Sequence, residues 1–193
     1  MMPNPQQQLR QNRIVYAAFS GLIEDGSAER FIQTLSQLTD PRAMVDSVHL
    51  LLNSPGGQIS EGVTIYNFLR AYPLPLTIYN CGTVASAGVL AFLGAKNRKT
   101  SVHATFMIHK AQIKFEYPIP ASDVRGATRL LELDDSRTEA IFREAGINFT
   151  EQHWTDFGNN KDIILNPQEA LAVGLVQVIC EFSPPPRSPL IPI

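Results

Sequence analysis

Basic charge, cysteine and long apolar runs are all scarce in this sequence. Its 16 Lys and Arg are outnumbered by 18 Asp and Glu, for a formal charge of −2. Such a chain has no positive field to neutralise phosphates, so nucleic acid and anionic membrane surfaces are not expected partners. Only two cysteines occur, Cys81 and Cys180, far apart and next to apolar residues. Neither has metal-ligand spacing around it, so both are expected to be reduced, packed thiols. No apolar run approaches the roughly 20 residues that span a bilayer, and the Met1–Gln8 stretch lacks the apolar centre of a secretory signal. A cytoplasmic location with no membrane contact is therefore expected. No cluster of His, Cys and carboxylates has ligand spacing, so neither metal nor bound cofactor is expected.

What remains is ample for a core. With 44% hydrophobic residues, a chain of 193 fits one domain with its own interior. Residues 1–12 are polar and rich in Pro and Gln, and are expected to be disordered. From Ser183 onward, Pro184, Pro185, Pro186, Pro189 and Pro192 fix φ and remove donors, which predicts an extended polyproline-like tail or a mobile arm over 183–193. The folded domain should occupy 13–182.

Within it, strand and helix patterns alternate. Ile14 to Phe19 reads as a strand. Ser27 to Leu38 reads as a helix with Ser27 as N-cap and Phe31, Ile32, Leu35 and Leu38 on one face. The apolar run Val48 to Leu52 has the character of a parallel strand covered on both faces. A helix follows from Ser60 to about Ala71, with Ile59, Val63, Tyr66 and Leu69 in a stripe. Leu76 to Asn80 is a strand, Ala85 to about Leu93 a buried helix, and Thr105 to Ile108 a strand. The series is that of a right-handed, largely parallel α/β sheet. From Ala121 to about Ala145 a long helix carries a broken apolar stripe among Asp134, Asp135, Arg137, Glu139 and Arg143. Such a helix is hard to bury in one small domain and is expected to project and pair with another subunit. A short helix from Thr150, an apolar run Ile163–Leu165, a helix beginning at Asn166-Pro167 and a strand from Leu175 to Cys180 complete the pattern.

Three turns between these elements carry chemistry. In Asn53-Ser54-Pro55-Gly56-Gly57, two glycines after a buried strand allow close backbone approach and free N–H groups for a developing negative charge, although such a dipeptide alone is usually only a turn. Ser86 stands at the start of the buried helix after what reads as a Gly-Thr-Val-Ala turn. There the Ala87 N–H points to the same side as its hydroxyl, and small neighbours leave that hydroxyl accessible. An isolated serine in such a place is more often a cap, and Val84 excludes the G-x-S-x-G elbow. A serine nucleophile needs a base. Of four histidines, His49 reads as a core imidazole, His103 and His153 lie outside any apolar pattern, and His109 ends a strand at a strand-to-loop change.

Taken in order, Asn-Ser-Pro-Gly-Gly, Gly-x-x-Ala-Ser-x-Gly and Met-Ile-His resemble the ClpP family, the proteolytic subunits of the caseinolytic (Clp) serine protease. The likeness runs from about Arg13 to Ile179. It implies Ser86 as nucleophile, His109 as general base, and the N–H groups of Gly57 and Ala87 as the oxyanion hole. Counting back from Glu169-Ala170 and Gly174-Leu175-Val176, it implies Asp162 as the third triad member, ahead of Asp156. It further implies a crotonase-like spiral of βαβ units with a projecting helical handle, and a homo-oligomer of seven-membered rings, singly or stacked. Unfolded proteins or short peptides would be the substrates, and an ATP-driven unfoldase a possible partner. The chain departs from the family pattern after His109. Lys110-Ala111-Gln112 replaces the usual Gln-Pro, and no glycine occurs before Gly126, with Pro118 and Pro120 between. Asn160-Lys161 also replaces the usual acidic-Arg pair before Asp162. The alternatives are a crotonase-like acyl-CoA enzyme using the same oxyanion hole, an inactive ring subunit, and a Ser-Lys peptidase with Lys96 or Lys110 as base.

Overall fold

The computed structural model describes residues 13–113, 115 and 120–193. The stretch 1–12 and Pro118 lie outside them. The chain runs β1 (Ile14–Ser20), α1 (Ser27–Leu38), β2 (Ser47–Ser54), α2 (Ile59–Arg70), β3 (Leu76–Ala85), α3 (Ala87–Leu93), β4 (Asn97–Thr100) and β5 (Thr105–Ile108). It continues with α4 (Ala121–Glu144), α5 (Glu151–Gly158), β6 (Ile163–Leu165), α6 (Pro167–Ala172), β7 (Val178–Ile179) and β8 (Leu190–Pro192). One sheet holds all of these strands in the order β6-β5-β3-β2-β1-β8, with β4 on β3 and β7 on β4. Every pairing among them is parallel except β5 with β6. This is the mixed α/β architecture expected from the strand and helix alternation.

Sheet register explains which side is the core. Val48, Leu50 and Leu52 of β2 are wholly buried and lie level with Val15, Ala17 and Phe19 of β1. They pack with Phe31, Leu35 and Ile65 from the helices. The alternate residues of β2, among them His49 and Leu51, are only half-buried. The expectation of a strand covered on both faces is thus corrected: helices cover one face, while the other carries Tyr16, His49 and Tyr79.

That second face is partly closed by the tail. Phe182 packs edge-on to Tyr16 at 5.9 Å and to Tyr79 at 5.2 Å between ring centroids. Leu190–Pro192 then pairs with β1 as an edge strand, and Ile193 N–H donates to the Ala18 carbonyl at 2.9 Å. The tail is not extended throughout, as the prolines alone suggested: Ser188 N–H donates to the Pro185 carbonyl at 3.1 Å in a turn with Arg187 at φ 66°, and only the stretch beyond it pairs with the open edge.

Two further expectations change. Ser27 is the first helical residue rather than the cap, because Gly26 takes the left-handed position before it and the Ser27 hydroxyl accepts from the Glu24 N–H. The strand read as Leu76–Asn80 continues to Ala85, so Gly82–Ala85 is not a turn. Its first half pairs with β4 and its second with β5. At the crossover the ladder with β2 shifts register between Leu52 and Ser54. Two asparagines bridge the shift. Asn80, fully buried, donates to the Thr105 carbonyl and accepts from the Gly82 N–H, while Asn53 accepts from the Thr83 N–H. Polar side chains thus satisfy backbone groups that the irregular ladder leaves over. The consequence is functional: the end of β3, and Ser86 after it, is aimed by Asn53 of the first turn.

Candidate active site

Ser86 sits in a strained backbone geometry. Its φ of 52° and ψ of −125° are outside the ordinary wells of an L-residue and cost on the order of 1–3 kcal/mol. Two bonds hold it there: Ser86 N–H donates to the Met107 carbonyl at 2.8 Å, and its own carbonyl accepts from Val89 N–H at 2.9 Å. The first ties Ser86 to β5 two residues before His109. The second opens α3, leaving Ala87 in the first turn where N–H groups have no intrahelical partner. Helix α2 fixes α3 from above through Gly62, where a Cβ would lie 2.6 Å from the Ala87 carbonyl oxygen.

The two glycines press against this elbow. Gly56 has φ 97°, and a Cβ there would stand 2.6 Å from Ser86 Cβ and 2.7 Å from the Ala85 oxygen. Gly57 has φ 145° and forms an isolated parallel bridge with Ile23. That bridge is made by Ile23 N–H to the Gly56 carbonyl at 2.8 Å and Gln58 N–H to the Ile23 carbonyl at 2.7 Å. The Gly57 N–H takes no part in it. Below, Ser54 is fully buried and its hydroxyl accepts from the Gly56 N–H at 3.1 Å, which fixes the turn.

Gly57, Ser86 and His109 line one cavity of about 460 Å³. Its walls are mostly apolar, with Ile59, Leu130 and Leu131 prominent, and Asp134 and Arg137 of α4 close one side. Ala87 joins Ser86 and His109 around a small adjoining void. Four of the five residues singled out from sequence therefore meet. His109 Nδ1 lies 2.7 Å from the Lys110 carbonyl oxygen. A carbonyl can only accept, so Nδ1 is the donor in this bond.

Asp162 is exposed and lines neither cavity. It directly precedes Ile163, whose antiparallel partner Ile108 directly precedes His109, but Nδ1 of His109 is bonded to the Lys110 carbonyl. Asp156, the other carboxylate weighed from sequence, is engaged elsewhere. The Gln152 amide and Lys161 hold its carboxyl below the usual carboxylate range.

The other basic groups have structural work. His153 accepts from Thr150 N–H and donates its own N–H to the Thr150 hydroxyl, which caps α5. Lys110 reaches Asp135 at 3.6 Å and lies over the Phe157 ring, while Lys96 lines a different cavity. Neither lysine is among the residues around Ser86.

His49 is a packed imidazole, with Nδ1 3.0 Å from the Tyr79 hydroxyl and its ring against Tyr16. Burial, with Lys99 nearby, lowers its pKa from the ordinary value. Because the unfolded chain binds that proton more readily, the contribution of His49 is intact above about pH 6.5 and is lost as pH falls through the depressed folded value. Urea midpoints measured at pH 7.5 and 5.5 should therefore differ less in His49→Phe than in the parent.

The sequence pattern left several residues at the site unread. Asp134, Asp135 and Arg137 appear there only as charges interrupting a helical stripe. In the fold Asp134 is buried beside Arg137, and Asp135 accepts from Ala111 N–H at 3.0 Å. The one available signal was two adjacent acids in mid-helix.

Comparison with known proteins bears on the family and the fold. The chain is 28% identical over 162 residues to the "ATP-dependent Clp protease proteolytic subunit 2" of Pseudomonas aeruginosa, covering 83% of this chain and 78% of that protein. It is 29% identical over 159 residues to the proteolytic subunit of Paracoccus denitrificans, covering 81% and 77%. Among solved structures, a point mutant of ClpP1 from Listeria monocytogenes superposes with a TM-score of 0.71 at 25% identity, covering 88% of this chain and 92% of that one. Residues 2–183 match the sequence profile of the Clp protease family. With that match spanning nearly the whole chain, and with the sheet and helices superposing on a ClpP structure, this protein belongs to the Clp protease family.

Proposed function

We propose that the chain is a serine peptidase of the Clp type, with Ser86 as nucleophile and His109 as general base. The observation that carries the reading is the strained Ser86, held in one cavity with His109 and the Gly57 backbone. Nε2 of His109 takes the hydroxyl proton as Ser86 Oγ attacks the peptide carbonyl, and the carbonyl oxygen becomes an oxyanion facing the Gly57 and Ala87 N–H groups. The imidazolium then returns the proton to the leaving amine as the C–N bond breaks. Water, deprotonated by the same nitrogen, releases the acid from the ester. Asp162, which directly precedes β6, takes the Nδ1 hydrogen bond of His109 in place of the Lys110 carbonyl and stabilises the imidazolium. The step needs no metal or cofactor.

Substrates are short peptides or unfolded segments, admitted as extended chains along the cavity. Assembly into a homo-oligomeric ring fits α4, which exposes Val124, Leu130 and Leu133. A seven-membered ring, single or paired, would enclose the sites, with an ATP-driven unfoldase as the feeding partner in the cytoplasm. Among the described residues no helix is long and apolar enough to cross a membrane.

The test is covalent. A fluorophosphonate probe should label Ser86, located by peptide mass, at a rate that falls by at least about a hundredfold in His109→Ala. Label on another residue would overturn the assignment, as would a crotonase-like acyl-CoA activity that persists without the Ser86 hydroxyl. Mass in solution tests the ring, which a stable monomer would refute.

A further inference from the structure

The wall of the cavity holds one carboxylate that the mechanism above does not use. Asp134 sits on α4, lines the cavity together with Gly57, Ser86 and His109, and is only 8% exposed. Its Oδ1 accepts from the Arg137 guanidinium, further along the same helix. Among the described residues its Oδ2 has no hydrogen-bond or ion-pair partner. A carboxylate oxygen this poorly hydrated and unpaired is unfavourable, and a donor brought to it would relieve the penalty. Arg137 leaves that demand standing. It reaches only one of the two oxygens, and its side chain is 43% exposed against 12% for that of Asp134.

The surroundings decide which kind of donor fits. Ile59, Leu130 and Leu131 make much of the wall apolar, and the two leucines precede Asp134 by one helical turn, on the same side of α4. Besides His109, the ionisable side chains around the cavity are Glu24, Asp134 and Arg137: two carboxylates against one guanidinium, a formal charge of −1. An apolar wall that ends at a partly unpaired carboxylate is complementary to a long aliphatic stem with a cation at its tip. Lysine and arginine have that form. A purely apolar side chain would fill the same space and leave Oδ2 both dry and unpaired. The nearby lysines of the chain do not supply the cation, since Lys110 is bound to Asp135 and Lys96 lines another cavity.

We propose that Asp134 is a specificity-determining residue, selecting peptides that carry lysine or arginine beside the scissile bond. This rests on the peptidase reading and names the substrate class of that same site. The substrate's aliphatic stem lies along Ile59, Leu130 and Leu131, and its cationic head donates to Oδ2 of Asp134. Arg137 holds Oδ1 and so fixes the carboxylate, while its own charge competes with that of the substrate. Asp134 takes no part in making or breaking the peptide bond. Its effect is a difference between two substrates, and a site whose covered acceptor goes unpaired with the wrong one discriminates strongly.

Two fluorogenic peptides that differ only in lysine or norleucine before the scissile bond test it on the full chain, because norleucine keeps the stem and drops the charge. In the parent, kcat/KM should favour lysine by at least about tenfold. Asp134→Asn keeps the shape and an acceptor for Arg137, and should bring the ratio down to about one. Asp134→Leu should invert it. Arg137→Gln removes the competing cation and should raise it. A purely structural role in α4 would change both peptides alike and leave the ratio where it was. A parent that prefers norleucine, or a ratio unmoved in folded Asp134→Asn, would overturn the proposal. Fluorophosphonate labelling keeps the two readings apart, since label at a residue other than Ser86 sinks the peptidase but not the cation site. Calorimetry with acetyl-lysine amide and acetyl-norleucine amide then decides that site by itself: tighter lysine binding that disappears in Asp134→Asn upholds it, and equal binding in the parent refutes it.

Discussion

Ser86→Ala is expected to lower peptide turnover by at least about 10⁴-fold and to abolish fluorophosphonate labelling, while leaving the fold intact. The size follows from what is removed. Without the hydroxyl no acyl-enzyme forms, so the two-step route collapses to direct attack by water, aided only by the oxyanion donors and by binding. The fold should survive because alanine keeps the Cβ that packs beside Gly56 and leaves the Ser86 N–H bond to Met107 in place. Backbone strain gives a second, opposite signature. At φ 52° and ψ −125° glycine is at ease where serine is not, so Ser86→Gly should be inactive and more stable by about 1 kcal/mol. Stability of the three forms, read from urea unfolding midpoints, checks this directly. A Ser86→Gly variant less stable than the parent would show that the elbow is not a site of stored strain.

Gly57→Ala should be the most damaging single methyl addition in the turn. The new Cβ would lie 2.0 Å from the Ile23 carbonyl oxygen, and a φ of 145° is itself unfavourable for any side chain. Backbone must therefore move, and the bridge from Ile23 to Gly56 and Gln58 opens. A stability loss on the order of 3 kcal/mol is expected, since both clash and strained φ act at once. The chemistry should fail independently of stability. Displacing one oxyanion donor costs roughly 10²–10³ in the acylation rate. Labelling of Ser86 should therefore slow by about that factor in the fraction that remains folded, measured against the same fraction of the parent. A variant that unfolds more easily yet labels at the parental rate would remove Gly57 from the oxyanion hole.

Both results bear on how the site is assembled. The Asn53 turn, the Ser86 elbow and the end of β5 are each local structures, but they are locked together by a few named bonds. Asn53 aims the end of β3 through Thr83 N–H, and Met107 holds Ser86. Gly56 then rests on the serine itself. Loss of any one glycine or asparagine in this set should reach the nucleophile.

The elements most legible in the sequence were those whose signal is periodic or chemical at short range. The bounds of α1 follow from the spacing of Phe31 and Leu35, and α4 from its length of broken stripe up to Gly146. The start of α6 follows from Asn166-Pro167, where the Asn166 side chain caps the helix. Elements without such a signal stayed hidden. Strand β4 contains no apolar residue, and its buried positions are Arg98 and Thr100. Arg98 is tolerable there because it donates to the carbonyls of Ala95, Gly174 and Leu175, two of them more than seventy residues away. No local pattern can announce a strand whose burial depends on distant acceptors. The tail strand β8 was equally silent, since proline fixes an extended shape but not the edge it pairs with.

By itself, then, the sequence determined the chemical parts of this protein: a serine among small residues, a histidine ending a strand, two glycines after a buried run, and an order shared with the Clp protease family. Those choices are dictated residue by residue, by sterics at Gly56 and Gly57 and by the need for an accessible hydroxyl at Ser86. Only the tertiary structure decided their relations. It put Gly57, Ser86 and His109 around one cavity, bent β3 across two partner strands, and brought Asp135 onto the segment that follows His109. Each of these depends on contacts between segments distant in the chain, which become definite only when the sheet register is closed.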